Sequence, residues 1–519
     1  MEFMNSDRLL KRRNFLLGAS FFTGLAVTSQ LQPVMARGRF SDYPFKLGVA
    51  SGDPLPDSVV LWTRLAPQPV NGGGMSPVNV PVRWQIARDE NMRQVVQRGT
   101  VLATPQLGHS VHVDVQGLEP NRWYWYQFAV GSEVSPIGRT RTAPAIYSSI
   151  SQLNFAFASC QDWQNGFYTA YKHMAQEDLD LVVHLGDYIY EYGPQAGAPR
   201  QHIGPEIITL ADYRNRYALY RTDANLQAVH ANFPWIVTWD DHEVDNNYAN
   251  LIPEDSQTPA AFEQRRVNAY QAYYEHMPLR LSSLPKGASM QLYRRFTFGD
   301  LAEFNVLDTR QYRTDQPCND GLKPLCAAAL DPNATLTGTA QESWLFQGLD
   351  KSQARWNVIA QQVILSQFDF NPSPTVQLFN VDQWDGYVAA RQRLLNFLEQ
   401  RQPSNPVVIT GDIHSSWVFD VKADFNNPLS ATVGTEFVGT SITSDFPTSF
   451  IAPVQAAVPA NPHTKFFDGA NRGYVRCKLT RNNWQSDYRV VSSILDQNAT
   501  VSTLASFVVE NGKPGAQKV

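Results

Sequence analysis

Cysteine is scarce in this chain. Its 519 residues include only four, at positions 160, 318, 326 and 477, too few for the disulfide framework of a small secreted scaffold. Strong net charge is missing as well. The formal balance is -5, and without a long basic run beyond the leader there is little to attract nucleic acid, so no nucleic-acid partner is expected and an anionic substrate must be met by local charge. Past the first forty positions no apolar segment reaches the roughly 20 residues that a membrane-spanning helix needs. No internal repeat is visible either, which excludes a solenoid. What is present, 43% apolar and 18% charged residues, reads as a soluble globular protein too long for one ordinary core.

The first thirty-six residues differ in texture. Arg12 and Arg13 precede an apolar stretch over 15–27, and Val34-Met35-Ala36 offers a small-residue cleavage site. The stretch is short and interrupted by Gly18, Ser20, Thr23 and Gly24, which favours a twin-arginine export signal over a membrane anchor. The expectation is a leader over 1–36 handled by the twin-arginine export machinery. The remaining protein is then periplasmic or secreted, without a stable membrane anchor, and monomeric. In an oxidising compartment Cys318 and Cys326, both in a loop-like segment, can close a small disulfide, free thiols being the alternative. Cys477 lies in an alternating run and reads as a small buried core residue.

From 40 to 145 the pattern is all-β. Val80, Val82, Trp84 and Ile86 alternate with polar partners, as do Val111, Val113 and Val115, each predicting a strand with one buried face. The segment from Gly117 through Leu118 and Pro120 to Tyr124 resembles the tyrosine corner of fibronectin-type sandwiches. A β-sandwich serving as scaffold is expected there, with a linker over 140–151. From 152 to 495 strands alternate with helices, the signature of a layered α/β domain. Helices are predicted over 210–221, 259–276, 339–349 and 388–400, the third with a Thr339/Glu342 capping box. Strands are predicted over 296–308, 356–361, 406–410, 435–441 and 473–480. The segment 496–519 is expected to be a C-terminal tail or helix.

Four apolar runs end in residues that can bind metal. The run 179–185 stops at Gly186-Asp187, 153–159 delivers Cys160, 233–239 delivers Asp240, Asp241 and His242, and 407–410 delivers Asp412 and His414. Glycine permits a sharp turn that sets the next carboxylate just past the strand's C-terminal end, where open α/β sheets place ligands. Taken singly, each residue has an ordinary explanation: an Asp after Gly caps helices, a buried Cys packs, a Tyr fills a core. Together, on one rim of a sheet, they would form a metal site. Asp187 is the candidate bridge between two ions, and Tyr190 reaches the same ion if the chain enters a helix after the strand. Thiolate, phenolate, carboxylate and imidazole suggest iron at one position. Asp241 and Asp412 offer hard oxygen at a second, which suits calcium, magnesium or manganese.

Gly186-Asp187-x-x-Tyr190, Asp241-His242-Glu243 and Gly411-Asp412-x-His414 resemble the GDxxY, GNHE and GHxH motifs of calcineurin-like metallophosphoesterases, with Asp241 in place of Asn and Asp412 in place of the first His. With Ser159-Cys160-Gln161-Asp162-Trp163 and the segment from Leu307 to Arg313, the chain is identified as similar to the PhoD-type alkaline phosphatases over nearly its whole mature length. The resemblance implies a four-layer αββα sandwich preceded by the β domain. It also implies a ferric ion (Fe3+) on Cys160, Asp187, Tyr190 and His414, with calcium (Ca2+) on Asp187, Asp241 and Asp412. Asn246 and Asp240 are candidates for a second calcium. His242 would contact the phosphate or protonate the leaving group, a structural bond to a neighbouring carboxylate being the alternative. Arg310 and Arg472 are candidates for clamping the phosphate, against surface salt bridging. The implied activity is hydrolysis of phosphate esters, monoesters first and diesters as a further option, for phosphate scavenging. A phospholipase D-like diesterase and a non-catalytic envelope module with structural metals are the alternatives.

Overall fold

The apolar runs that end in acidic residues are strands in the computed structural model, which describes residues 40–373 and 375–519. The expected leader over 1–36 lies outside the described residues. Gln152–Ala158, Leu181–His184 and Pro234–Val237 pair in parallel, with Leu181 opposite Phe155 and Val182 opposite Trp235. Their near-continuous burial fits a parallel sheet covered on both faces. They are the middle of a ten-stranded sheet. On one side it continues antiparallel through Arg472–Thr480, Asn483–Val491, Val501–Glu510 and Lys513–Lys518, and on the other through Val49–Leu55, Ser58–Arg64 and Ser110–Val115.

A second, seven-stranded sheet includes Ala302–Val306, Trp356–Ala360, Pro406–Thr410 and Thr432–Val438 in parallel. Phe155, Phe157, Leu181 and Val183 from the first sheet meet Phe304, Val358, Val407 and Phe437 from the second in one buried cluster. Full burial of each such side chain contributes roughly 1.5–3 kcal/mol, so this cluster holds the two sheets face to face. Helices Leu210–Arg221 and Pro259–His276 cover the outer face of the first sheet, around Trp235 and Val237. Gly338–Lys351 and Val388–Arg401 cover the outer face of the second, around Ile359 and Val408. The order is helix, sheet, sheet, helix, the expected four-layer α/β architecture.

The N-terminal region is all-β. Val80–Ala87, Val95–Ala103, Trp123–Val130, Glu133–Val134 and Gly138–Arg141 form a five-stranded sheet. Its Val82, Ile86, Tyr126 and Phe128 pack against Val59, Leu61 and Val113. The tyrosine corner is formed: the Glu119 amide donates to the Tyr124 hydroxyl at 2.9 Å. The opposing layer, however, belongs to the ten-stranded sheet, because Val49–Leu55 pairs in parallel with Pro234–Val237. Phe40–Val519 is accordingly one compact unit.

Three local expectations need correction. The segment 496–519 is neither helix nor tail but carries two strands, Val501–Glu510 and Lys513–Lys518, because the first pairs with Asn483–Val491 and buries Ala505, Phe507 and Val509 in the intersheet core. The run 296–308 is a hairpin turned at Gly299. The helix predicted from 339 starts at Gly338 with Thr337 as its cap and no side-chain cap bond. Glu342 turns instead to Arg393, at 2.9 Å. A capping box does form elsewhere, between Thr209 and Asp212. Cys318 and Cys326 are bridged and Cys477 is buried. Among the described residues no helix is long and apolar enough to cross a membrane.

Candidate metal centre

Each strand that carries a candidate ligand ends in a turn rather than a helix. Cys160, Asp187, Asp412 and His414 all have positive φ, at 58°, 56°, 62° and 56°, a strained backbone for side chains with a Cβ. Such strain is typical of groups held for function by their surroundings. Two glycines allow the turns to close on one another. A Cβ on Gly186 would lie 2.4 Å from that of Asp240, and one on Gly411 would lie 2.6 Å from the Ser159 hydroxyl. Glu243 braces the same turns, accepting the amides of Asp187 at 3.1 Å, Asp240 at 2.8 Å and also Tyr188.

These contacts correct one expectation about the frame. Cys160, Asp187 and Asp241 follow strands of the ten-stranded sheet, but Asp412 and His414 follow Pro406–Thr410 of the other. The centre therefore spans the C-terminal ends of two facing sheets, not one rim. No helix follows Leu181–His184 either. The left-handed turn at Asp187 brings Tyr190 back directly, with its hydroxyl 3.1 Å from Asp187 Oδ2 and 3.2 Å from His414 Nε2.

Donor atoms of Cys160, Asp187 and His414 lie within 4.8 Å of one another, as do those of Asp187, Asp241 and His242, and those of Asp240, Asp241 and Asp412. Asp187 belongs to both the first and second groups and so links a set rich in sulfur, phenol and imidazole to an oxygen-rich one. Two oxygens in these groups, Asp187 Oδ1 and Asp240 Oδ2, are buried without any hydrogen-bond partner. A buried acceptor left bare is costly, and a cation satisfies it. Charge argues the same way. Asp240, Asp241, Asp382 and Asp412 all converge on Arg310, and Arg313 supplies a second cation only to Asp382.

Ionisation follows from this crowding. Burial, partly opposed by His242 and reinforced by Asp241, pushes Asp187 up to about 7. Burial and the neighbouring Asp382, against the pull of Arg310, raise Asp412 to about 6. Asp241 goes the other way: burial would raise it, but Arg310 and His242 outweigh burial and hold it below the usual carboxylate range. The Cys160 thiol and the Tyr190 phenol are both pushed well up by burial and then by Asp187. Each would lose its proton to a bound cation, not to the protein alone. Burial lowers His414, leaving a neutral imidazole whose Nδ1 faces the Asp445 carbonyl at 2.9 Å. For His242 burial is overcome by Glu191, Asp241 and Asp187, so its pKa stands well above the ordinary value.

The remaining candidates divide. His242 Nδ1 bonds Glu191 Oε2 at 2.7 Å and its ring lies over Tyr190, with centroids 4.1 Å apart. The neighbouring carboxylate contact and a position at the centre are thus both present. Arg310 is fully buried and spends all three nitrogens on carboxylates, with 2.8 Å to Asp382 and 3.1 Å to Asp412. It neutralises the ligand cluster and has no nitrogen turned to solvent for a phosphate. Arg472 bonds only backbone carbonyls, those of Ser444 at 2.7 Å, Asn471 at 2.9 Å and Gly469 at 3.1 Å. No carboxylate among the described residues pairs with it. Asn246 gives its backbone amide to Glu191 at 2.9 Å. It is Asn247 whose amide reaches Asp241, at 2.7 Å.

Sequence reasoning named Glu243 only as part of a motif and passed over Glu191, Asp382 and Ser444, whose Oγ lies 2.7 Å from the Tyr190 hydroxyl. Glu191 had a signal, a charge directly after the apolar Tyr188-Ile189-Tyr190. Ser444 and Asp382 had none, because their partners are more than 65 residues away.

Residues 155–488 match the family described as PhoD-like phosphatase, and residues 30–144 match the PhoD-like phosphatase N-terminal domain. Alkaline phosphatase D of Bacillus subtilis (strain 168) is 54% identical over 520 aligned positions, which cover 98% of this chain and 89% of that relative. A solved structure described as that of PhoD superposes with a TM-score of 0.90 at 55% identity, covering 93% of each chain. On these matches the chain belongs to the PhoD-like phosphatase family.

Proposed function

We propose that the protein is an exported phosphatase that hydrolyses phosphate esters at this centre and serves phosphate scavenging. The twin arginine of Arg12 and Arg13 supports export. The observation that carries the catalytic reading is the shared carboxylate, Asp187, which joins the Cys160–His414 group to the group containing Asp241. A thiol, a phenol and an imidazole beside it suit ferric iron, and the all-carboxylate set of Asp240, Asp241 and Asp412 suits calcium. When bound, such cations supply Lewis acidity toward phosphoryl oxygens.

The chain's own groups do the rest. Arg472, whose nitrogens bond only backbone carbonyls, holds the anionic end of the ester. His242, kept protonated beside Glu191, carries the proton that a departing alkoxide needs. Arg310 offsets the repulsion among the aspartates and keeps Asp241 ionised. Ser444 and Asp445 orient Tyr190 and His414.

Purified protein assayed on an aryl phosphate monoester and an aryl diester, with and without calcium, tests this reading. Hydrolysis of the monoester is the expected result, and a faster diester reaction would favour the diesterase alternative. Hydrolysis of neither by metal-loaded protein would leave only a metal-stabilised binding module. The iron assignment has its own readout. The protein should be coloured by phenolate-to-iron charge transfer, and Tyr190→Phe should remove or shift the band; a colourless active protein refutes it.

A further inference from the structure

The loop closed by Cys318 and Cys326 carries an unusual stretch of backbone. Cys318, Asn319, Asp320 and Gly321 have φ of 63°, 64°, 53° and 74° in succession. Asp320 combines its φ with a ψ of 173°, a region occupied almost only by glycine. A free chain would relax from this conformation. Here it is held by the bridge, which spans eight residues with Cα atoms 5.7 Å apart. It is held also by backbone pairing, the Val381 amide donating to the Gly321 carbonyl at 3.1 Å and Leu322 standing opposite Asn380.

The strained turn holds a carboxylate in place. Asp320 Oδ2 accepts the side-chain amide of Asn247 at 2.7 Å. The backbone amide of Asn247, itself at a φ of 47°, donates to Asp241 Oδ2 at 2.7 Å. Gln316, just ahead of the bridge, grips the same residue from the other side, donating to the Asn247 carbonyl at 2.6 Å and to Asp382 Oδ1 at 2.9 Å. The loop therefore fixes Asn247 at two points, and Asn247 fixes one oxygen of Asp241.

We propose that Asp320 is a positioning residue for the oxygen-rich cation position: the disulfide-closed loop holds it against Asn247, whose amide then orients the Asp241 carboxylate toward a divalent cation. This rests on the reading of Asp241 as a calcium ligand. Partners that orient metal ligands typically change affinity by about 10–100-fold when removed, and Asp320 acts one residue further out, so an effect near the lower end, about tenfold, is expected.

The test measures calcium retained by the purified full chain across a chelator-buffered series of free calcium, with iron content measured on the same samples. Asp320→Gly removes the carboxylate while relieving the backbone, and should raise the calcium midpoint about tenfold with iron unchanged. Asp320→Asn keeps an acceptor oxygen and tolerates the left-handed turn, and should stay near the parent protein. Cys318→Ala with Cys326→Ala should shift calcium in the same direction as Asp320→Gly; if that double variant does not fold, the Asp320 pair decides alone. An unchanged midpoint in Asp320→Gly, an equal loss in Asp320→Asn, or a parallel loss of iron would each overturn the proposal. Asp241→Asn separates the two levels. If it too leaves calcium binding unchanged, the cation assignment itself fails; if it abolishes binding while Asp320→Gly does not, only the role of Asp320 fails.

Discussion

Replacing Arg310 with methionine keeps most of the side chain's length and removes its charge from the middle of four carboxylates. The guanidinium is fully buried and meets Asp240, Asp382, Asp412 and Asp241, the last at 3.6 Å. Breaking a buried ion pair from one side costs about 3–5 kcal/mol, chiefly because the remaining charge is left uncompensated. Several carboxylates lose their partner together here, so Arg310→Met should lose at least that much in the presence of chelator. The loss should be larger at pH 8 than at pH 6, since protonation relieves the repulsion that remains. Calcium should restore part of it, about 2.7 kcal/mol at a hundredfold excess over its dissociation constant. Urea unfolding followed by tryptophan fluorescence, with chelator or with calcium, measures both quantities. A phosphate clamp behaves differently, raising KM while leaving stability alone. If Arg310→Met is as stable as the parent in chelator at pH 8, and only KM rises, the charge-balancing argument is wrong.

Three further outcomes are expected. With Asp187 pushed up to about 7 and Asp412 to about 6 in the cation-free centre, these two carboxyls should give up between about one and two protons on calcium uptake at pH 6 and almost none at pH 9, so total release should fall as pH rises; calorimetry in buffers of different ionisation enthalpy checks this, and equal release at both pH values refutes it. Burial lowers His112 to about 4, so its neutral form contributes full stability above the unfolded value near 6.5. As pH falls from there toward 4 the unfolded chain binds a proton that the folded chain refuses, costing up to about 3 kcal/mol. The urea midpoint should fall between pH 7.5 and 5, less steeply in His112→Gln. Finally, Gly186→Ala combines a φ of 119° with a Cβ that would meet Asp240 at 2.4 Å, and should cost roughly 2–4 kcal/mol; a loss under about 0.5 kcal/mol, the usual range for a neutral surface change, would show that the two turns are not in close contact.

Much of the architecture is legible locally. Leu210–Arg221 and Pro259–His276 have the predicted bounds, because caps and breakers stand next to the residues they affect. The C-terminal strands were misread for the complementary reason. Ala505, Phe507 and Val509 are too few for an unambiguous period, and what makes them a strand is their pairing with Asn483–Val491.

The donor types of the centre, too, belong to the primary structure: sulfur, phenol, carboxylate and imidazole, each placed just after an apolar run that could only be a buried strand. Which of them come within reach of one another was decided by the stacking of one sheet on another, since His414 meets Asp187 and Tyr190, and Asp412 meets Asp240 and Asp241, across the interface between the two. The role of Arg310 was settled there as well. An arginine is a clamp or a counter-ion according to the charges that surround it, and those charges arrive from 70, 72 and 102 residues away, a distance along the chain that only folding removes.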